Sequence, residues 1–373
     1  MMRFILTLGL AAFVGGGVLW AEDTVYLREE GQKKQQSVTG TIENESPNGI
    51  KLKTKGGAVK DISTSSIVQV EYGNEVVSKI QFRAPDNQLI RALEETRPDK
   101  RADLLRQALG AFEALDRMEQ GGTKLSGLVP IHRYLQYRIA QIKALQARLD
   151  VGQREAAIAA LVEYKNGFGD GWEIVPALQL LASLQVDKGD NEAASQTYAA
   201  LGSLAGLAPE LKLQNQLQSA RFLMRADKFA DAERKLSQVE SALPRDDPQR
   251  AFVNVYLMQS RIAQKSNLDG IDKLLTEIVR AGKDDHLLAL AHNVLGDYRR
   301  IKNENESAFW EYCKVDMLYN RDREEHAKAL YYLSKLFAQA PHNNADRAEA
   351  CRKRLLSSPF DGTLYQRLAA AEK

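Results

Sequence analysis

Leu181-Ala182-Ser183-Leu184-Gln185-Val186-Asp187-Lys188-Gly189-Asp190-Asn191-Glu192-Ala193-Ala194-Ser195-Gln196-Thr197-Tyr198 is the stretch that decides the fold. Apolar residues at helical spacing run up to Gly189-Asp190, where the glycine lets the chain leave one helix and the aspartate can cap the next. Ala194 follows where a small side chain lets the second helix approach the first. So short a turn makes the two helices antiparallel neighbours. Leu145, Gly152, Ala157, Leu161 and Tyr164 give the same order one period earlier.

The pattern recurs along the chain. Ala157, Ala194, Ala232, Ile271, Ala308 and Ala348 open successive second helices at nearly even intervals, the period of a helix-pair repeat. One hairpin cannot bury both of its apolar stripes, whereas hairpins stacked in series share a continuous core. Such a stack also escapes the limit of roughly 250 to 300 residues at which single cores stop growing.

Leu181-Ala182, Gly189, Ala194 and Tyr198 resemble the tetratricopeptide repeat (TPR) family, which places Leu-Gly on a first helix, then alanine and an aromatic on a second, with a proline near the end. Ala220, Phe229, Ala232, Leu236 and Pro244 match again, as do Leu295-Gly296, Ala308 and Tyr312. Met258, Ile262, Ile271 and Leu275 form a copy with isoleucine in place of alanine, so its helices are expected to splay. The last copy runs from Lys328-Ala329-Leu330 to Ala348 and Pro359. The resemblance covers residues 130–359 and implies a superhelical solenoid whose first helices line a concave ligand-binding face. Polar residues beside the packing leucines on those helices, Gln179, Arg221, Asn293 and Asp297, are the implied partner-binding candidates. Residues 360–373 read as a capping helix that starts at Asp361 and covers the last repeat with Leu364, Tyr365 and Leu368.

Upstream of the repeats the period changes to two. Thr24–Leu27, Ser37–Ile42, Gly49–Lys53, Ala58–Ile62 and Ile67–Tyr72 are short β-prone runs, separated by turn chemistry at Gly31, at Ser46-Pro47-Asn48-Gly49 and at Gly56-Gly57. Residues 22–82 therefore read as a small all-β domain. Its order, with Gly40 at the kink of a long second strand and a closing strand entered through residues 63–66, resembles an Sm-like barrel. Arg83-Ala84-Pro85-Asp86-Asn87 reads as a linker, with Pro85 ending the sheet pattern, and residues 83–129 hold it and two leading helices broken at Arg97-Pro98. The fold class is mostly α: a TPR-like solenoid preceded by a barrel-like β domain.

Residues 1–21 have the charge order of a secretory signal peptide: Arg3 is followed by an uncharged run from Phe4 to Ala21, then by Glu22 and Asp23. Cleavage after Ala21 and retention as an anchor are both compatible with that length. An exported protein of the periplasm or cell envelope is expected. In that compartment Cys313 and Cys351, one repeat period apart, read either as a candidate disulfide between neighbouring second helices or as two buried small side chains.

Lys and Arg number 51 against 49 acidic residues and the signs are mixed, which leaves no footprint for nucleic acid or an anionic membrane beyond the leader. No catalytic, cofactor or metal constellation is read. Asp284-Asp285-His286 fits a helix cap better than acid-base chemistry, and Gly167-Phe168-Gly169-Asp170-Gly171-Trp172 lacks the Lys-Ser or Lys-Thr of a phosphate loop, so it reads as a flexible connection. Of the aromatic residues Trp310, Tyr312, Tyr319, Tyr331 and Tyr332, most read as repeat core, with one or two beyond the packing need as candidates to line a peptide groove. The expectation is a non-enzymatic scaffold binding a peptide or protein, with a peptidoglycan- or carbohydrate-associated factor as the alternative.

Overall fold

The computed structural model describes residues 22–28, 35–73, 79–120, 123–124, 128–339 and 341–372. The signal-peptide reading of residues 1–21 and the turn at Gly31 lie outside them. Contacts divide the chain into two compact units, one comprising residues up to Gln153 together with Asp170–Glu173, the other Arg154–Gly169 and Ile174–Lys373.

In the first unit, β1 (Asp23–Leu27), β2 (Gln36–Ser46), β3 (Gly49–Thr54), β4 (Val59–Ser63) and β5 (Ile67–Glu71) form one antiparallel sheet of order β4-β3-β2-β1-β5. Alternation does the sorting in β3 and β4, burying Ile50, Leu52 and Ile62 while Lys51, Lys53 and Asp61 are exposed, whereas in β1 and β5 Val25 and Val70 are buried together with their neighbours Thr24, Gln69 and Glu71. At Gly40, which pairs with both Asp23 and Thr54, a Cβ would lie 2.2 Å from the Lys53 carbonyl oxygen, so only glycine permits this approach of β2 to β3. A 3-10 turn at Thr64–Ser66 joins β4 to β5, and Thr64 Oγ1 donates to the Pro47 carbonyl at 2.8 Å.

The sequence places a linker at residues 83–87, but α1 (Lys79–Glu94) runs straight through Pro85. The proline forfeits one backbone hydrogen bond. Burial of Phe82, Leu89 and Ala92 on one face holds the helix nonetheless. Asp86, fully buried beside the proline, accepts from the Tyr134 hydroxyl at 2.9 Å and lies 3.0 Å from Arg138 Nε. Helices α2 (Pro98–Asp116) and α3 (Val129–Leu149) follow, each with proline in its first turn, and between them β6 (Glu119–Gln120) pairs with β7 (Thr123–Lys124). Although α3 reads from sequence as the opening of the repeats, it belongs to this unit.

The glycine-rich stretch is not a loose connection. Gly171 has φ +88°, and a Cβ there would lie 2.5 Å from the Arg133 guanidinium. That conformation lets Trp172 pack on Tyr137 with ring centroids 5.7 Å apart, while Glu173 accepts from Arg133 Nε at 2.9 Å. Arg133 also pairs with Glu45, so a buried cation ties β2, α3 and this loop together. Burial pushes the Glu173 carboxyl above the usual carboxylate range against the pull of Arg133.

The second unit is a run of helix hairpins: α4 (Arg154–Gly167), α5 (Ile174–Lys188), α6 (Asn191–Gly202), α7 (Pro209–Arg225), α8 (Phe229–Ala242), α9 (Gln249–Gln264), α10 (Ile271–Ala281), α11 (Asp285–Ile301), α12 (Asn305–Leu318), α13 (Arg323–Phe337), α14 (Ala345–Leu355) and α15 (Leu364–Ala371). From α4 to α14 each helix packs on the next, α15 packs on α13, and Ala157, Ala194, Ala232 and Ala308 are fully buried at the crossings. Ala348 is only half-buried, because α14 turns Cys351 and Leu355 inward instead.

A stricter period underlies the hairpins. Gly189, Asp227, Lys265 and Asn303 follow one another at equal spacing, and all have left-handed backbones, with φ of 85°, 57°, 53° and 62°. After each, the next residue donates its N–H back across the helix end: Asp190 to Gln185, Lys228 to Leu223, Ser266 to Arg261 and Glu304 to Arg299, at 2.9 to 3.0 Å. This is a Schellman closure at the end of every first helix from α5 to α11.

The same register explains the irregular copy. Helices α6, α8 and α12 begin at Asn191, Phe229 and Asn305, and the corresponding start of α10 would be Asn267. The left-handed Asn267 and Gly270 delay it to Ile271, about one turn late. This copy is looser than the others, and the late start accounts for it: α10 lacks the turn that would lie on α9, and the two helices touch far less than partners elsewhere do. A cleft of about 870 Å³ opens beside them, lined by Phe252, Leu257, Met258, Leu274 and Ile278 among others.

Candidate functional site

Four first helices, α7, α9, α11 and α13, line one groove of about 680 Å³, and Leu364, Tyr365 and Leu368 of α15 form its end wall. The repeat register dictates the lining. Arg221, Gln259 and Asp297 occupy one position in successive repeats; Met224, Ile262 and Arg300 occupy the next inward position; Arg225, Ala263 and Ile301 follow. Helical spacing of three and four residues brings these positions onto one face.

Charges in the groove fall into committed and uncommitted sets. Lys328 is buried and its Nζ donates to Asp297 Oδ2 at 2.5 Å, while the Tyr312 hydroxyl donates to Asp297 Oδ1 at 2.8 Å. Burial disfavours the Lys328 ammonium, yet Asp297 together with Tyr365, Glu325 and Tyr332 outweighs burial and holds the group above the ordinary lysine range. Arg225 and Glu324 meet at 3.4 Å, joining α7 to the first turn of α13. Arg221 lies over the Tyr256 ring at 5.6 Å and Arg300 over the Tyr332 ring at 4.6 Å, and neither has an ion-pair partner among the described residues. Burial pushes the Tyr256 hydroxyl up to about 12, so the ring stays neutral under its arginine.

Of the four residues implied by the family pattern, Arg221 and Asp297 line the groove. Gln179 is exposed on α5 and contributes nothing to it. Asn293 is a correction: it is fully buried, donating to the Glu325 carbonyl at 2.9 Å and to Glu325 Oε2 at 2.8 Å. Its register explains why, since Gln179, Leu217, Val255 and Asn293 share one position in successive repeats and that position is core in α7, α9 and α11. Of the two readings of the cysteine pair, the structure has the unbonded one. Cys313 and Cys351 are free thiols, and burial raises the Cys313 thiol to about 11.

Asp284 caps α11 by accepting from the Leu287 N–H at 2.8 Å, as its position in the sequence implies. The capping helix at the C-terminus starts at Leu364 under a Thr363 cap instead of at Asp361, and it buries Ala369 while Leu368 faces the groove. In the aromatic group Tyr312 and Tyr331 are core, Tyr332 reaches the groove, and Trp310 is 56% exposed on α12. Arg300, Lys328 and Tyr256 escaped the sequence reading as groove residues, Tyr365 entered it only as part of the cap, and Tyr332 only within the aromatic group. Moving two repeats on from Met224 finds Arg300, but the cross-helix pairing of Lys328 with Asp297 has no local signal. Among the described residues no group of three or more His, Cys, Asp and Glu is placed to hold a metal, and no helix is long and apolar enough to cross a membrane.

Neither a protein-family model nor a curated protein sequence matches the chain. A solved structure does: a tetratricopeptide repeat protein from Parabacteroides merdae ATCC 43184 is similar over 78% of this chain and 99% of that one, at 13% identity and a TM-score of 0.50. That likeness concerns the fold. With the buried alanines and the repeated helix closures, it makes the chain a TPR-like helical-repeat solenoid preceded by a small antiparallel sheet.

Proposed function

We propose that this protein is a non-enzymatic interaction scaffold of the periplasm or cell envelope that holds a peptide or protein partner in the groove of its second unit. The observation that carries the reading is the shared register of the groove: equivalent positions of α7, α9 and α11 present side chains to it at each step, which suits an extended segment crossing successive repeats. A pre-ordered surface lowers the ordering penalty of binding. The leader-like residues 1–21 support export. The sheet order β4-β3-β2-β1-β5, with a 3-10 turn before β5 and Gly40 within β2, supports an Sm-like barrel serving as a cap or docking module.

A photo-cross-linking amino acid placed at Gln259 in the groove, and separately at Met317 on the exposed face of α12, tests the reading in intact cells. One discrete protein adduct from position 259 in the envelope fraction, absent from position 317, is the expected result. Equal labelling from both positions, or adducts only with cytoplasmic proteins, would refute it. Retention of the protein on purified sacculi without any protein adduct would favour glycan recognition instead.

A further inference from the structure

The groove contains its own competitor for a ligand. Arg221 and Arg225 of α7 face the first turn of α13, where Asp322, Glu324 and Glu325 lie together. Two of those acids are occupied locally. Asp322 caps α13 through the Glu324 and Glu325 N–H groups at 2.9 Å, and Glu325 accepts from Asn293. Glu324 has a different role: its carboxylate meets Arg225 at 3.4 Å, both side chains remaining partly open to solvent at 27% and 21%. A partly solvated pair at that distance is weak and exchangeable. Arg221 and Arg300 meanwhile lie over tyrosine rings, 5.6 and 4.6 Å from the ring centroids, without a carboxylate partner among the described residues, and a planar guanidinium so placed can make a two-pronged bond to an incoming acid.

Building on the groove as the binding site, we propose that the partner segment is acidic: its carboxylates engage Arg221 and Arg300 and displace Glu324 from Arg225, while its apolar side chains rest on Tyr365, Leu364 and Leu368. Glu324 thus acts as an internal stand-in that keeps Arg225 paired in the empty groove and sets the selectivity for acids. A neutral segment lacks the charge to displace it, and a basic one is repelled by the two arginines that have no carboxylate.

The test uses the full chain and three fluorescent peptides of about ten residues, roughly 33 to 36 Å when extended. They alternate leucine with glutamate, with glutamine or with lysine, and binding is read by anisotropy. The glutamate peptide should bind about tenfold more tightly than the glutamine peptide, and its affinity should fall steeply between about 0.05 and about 0.3 M salt. Glu324→Gln, a change at a partly exposed position that spares the helix, should tighten the glutamate peptide about three- to fivefold and leave the glutamine peptide unchanged. Arg221→Met with Arg300→Met should remove the preference, with circular dichroism confirming the fold.

Equal binding of the glutamate and glutamine peptides would overturn the acidic-partner inference while leaving the groove itself intact as a site. Weaker binding of the glutamate peptide by Glu324→Gln would overturn the role of Glu324. Displacement of the glutamate peptide by a short single-stranded oligonucleotide at equal charge would assign the groove to polyanions at large and overturn the choice of partner. No binding of any of the three peptides, with no adduct from position 259 in cells, would instead remove the groove reading.

Discussion

Gly296→Ala should destabilise this protein even though alanine is the better helix former. The glycine sits in the interior of α11, and a Cβ built on it would lie 2.6 Å from Cζ of Tyr312, 2.7 Å from Cε1 and 3.0 Å from Cε2. Unstrained carbon contacts begin at about 3.5 Å, so the ring must retreat by about 1 Å. It has nowhere to go. The ring is fully buried, it stacks on Tyr332 at 5.1 Å, and its hydroxyl is fixed on Asp297, which in turn holds Lys328. Overpacking of this kind costs about 1 to 3 kcal/mol, and the anchored ring argues for the upper half. Replacing glycine within a helix returns about 1 kcal/mol. The net expectation is a loss of about 1 to 2 kcal/mol. Gly110→Ala is the control, since Gly110 lies within α2 with nothing within 4 Å of the added atom, and it should gain about 0.5 to 1 kcal/mol. Urea unfolding followed by far-ultraviolet circular dichroism measures both. Removing the ring with Tyr312→Leu should abolish the penalty of Gly296→Ala. A Gly296→Ala protein as stable as the parent, or a penalty that survives Tyr312→Leu, would refute the argument.

Two other perturbations follow from buried charges. Asp297→Asn strands the Lys328 ammonium in the core and should cost about 3 to 5 kcal/mol, whereas Asp297→Leu combined with Lys328→Met should recover most of that loss; urea midpoints of the three variants decide it. Asp86 gives the pH dependence. Burial, opposed by Arg138 and Tyr134, raises its carboxyl from 3.8 to about 6, so the native state holds this proton more tightly than the unfolded chain does. The resulting stabilisation, on the order of 3 kcal/mol, is complete below about pH 4 and is lost as pH rises through 6. Asp86→Asn should remove that slope from unfolding midpoints measured between about pH 4 and 8, and an unchanged slope would count against it.

What the sequence disclosed and what it hid have distinct physical causes. The hairpin around Gly189 and Ala194 is legible because glycine advertises a left-handed turn and alanine a close crossing. Asp227, Lys265 and Asn303 make the same turn at the same spacing, but residues of these types are common elsewhere and carry no such flag. The delayed start of α10 is hidden for the same reason, since Asn267 and Gly270 look like an ordinary turn until the register is counted. The sheet is legible from alternation at Ile50, Leu52 and Ile62. Pro85 misled because its local meaning is a break, whereas burial of Phe82 and Leu89 on either side of it decides the outcome. In the groove only Arg221 and Asp297 could be named in advance as partner-binding residues. Arg300, Lys328 and Tyr332 gain their roles from partners on other helices, and a residue such as Asn293, polar but set in a core position, cannot be told from a surface one without the period.

The central claim is that the hairpins curve so that first helices far apart in sequence face one groove. Arg225 of α7 and Glu324 of α13 belong to hairpins with two others between them yet are in contact, and they provide the direct measurement. With Cys313 and Cys351 replaced by alanine, Arg225→Cys and Glu324→Cys should be joined by a short bismaleimide as readily as the control Glu155→Cys and Lys188→Cys, whose native side chains meet at 2.8 Å between α4 and α5. Efficient linkage in the control pair with none between positions 225 and 324 would contradict the account.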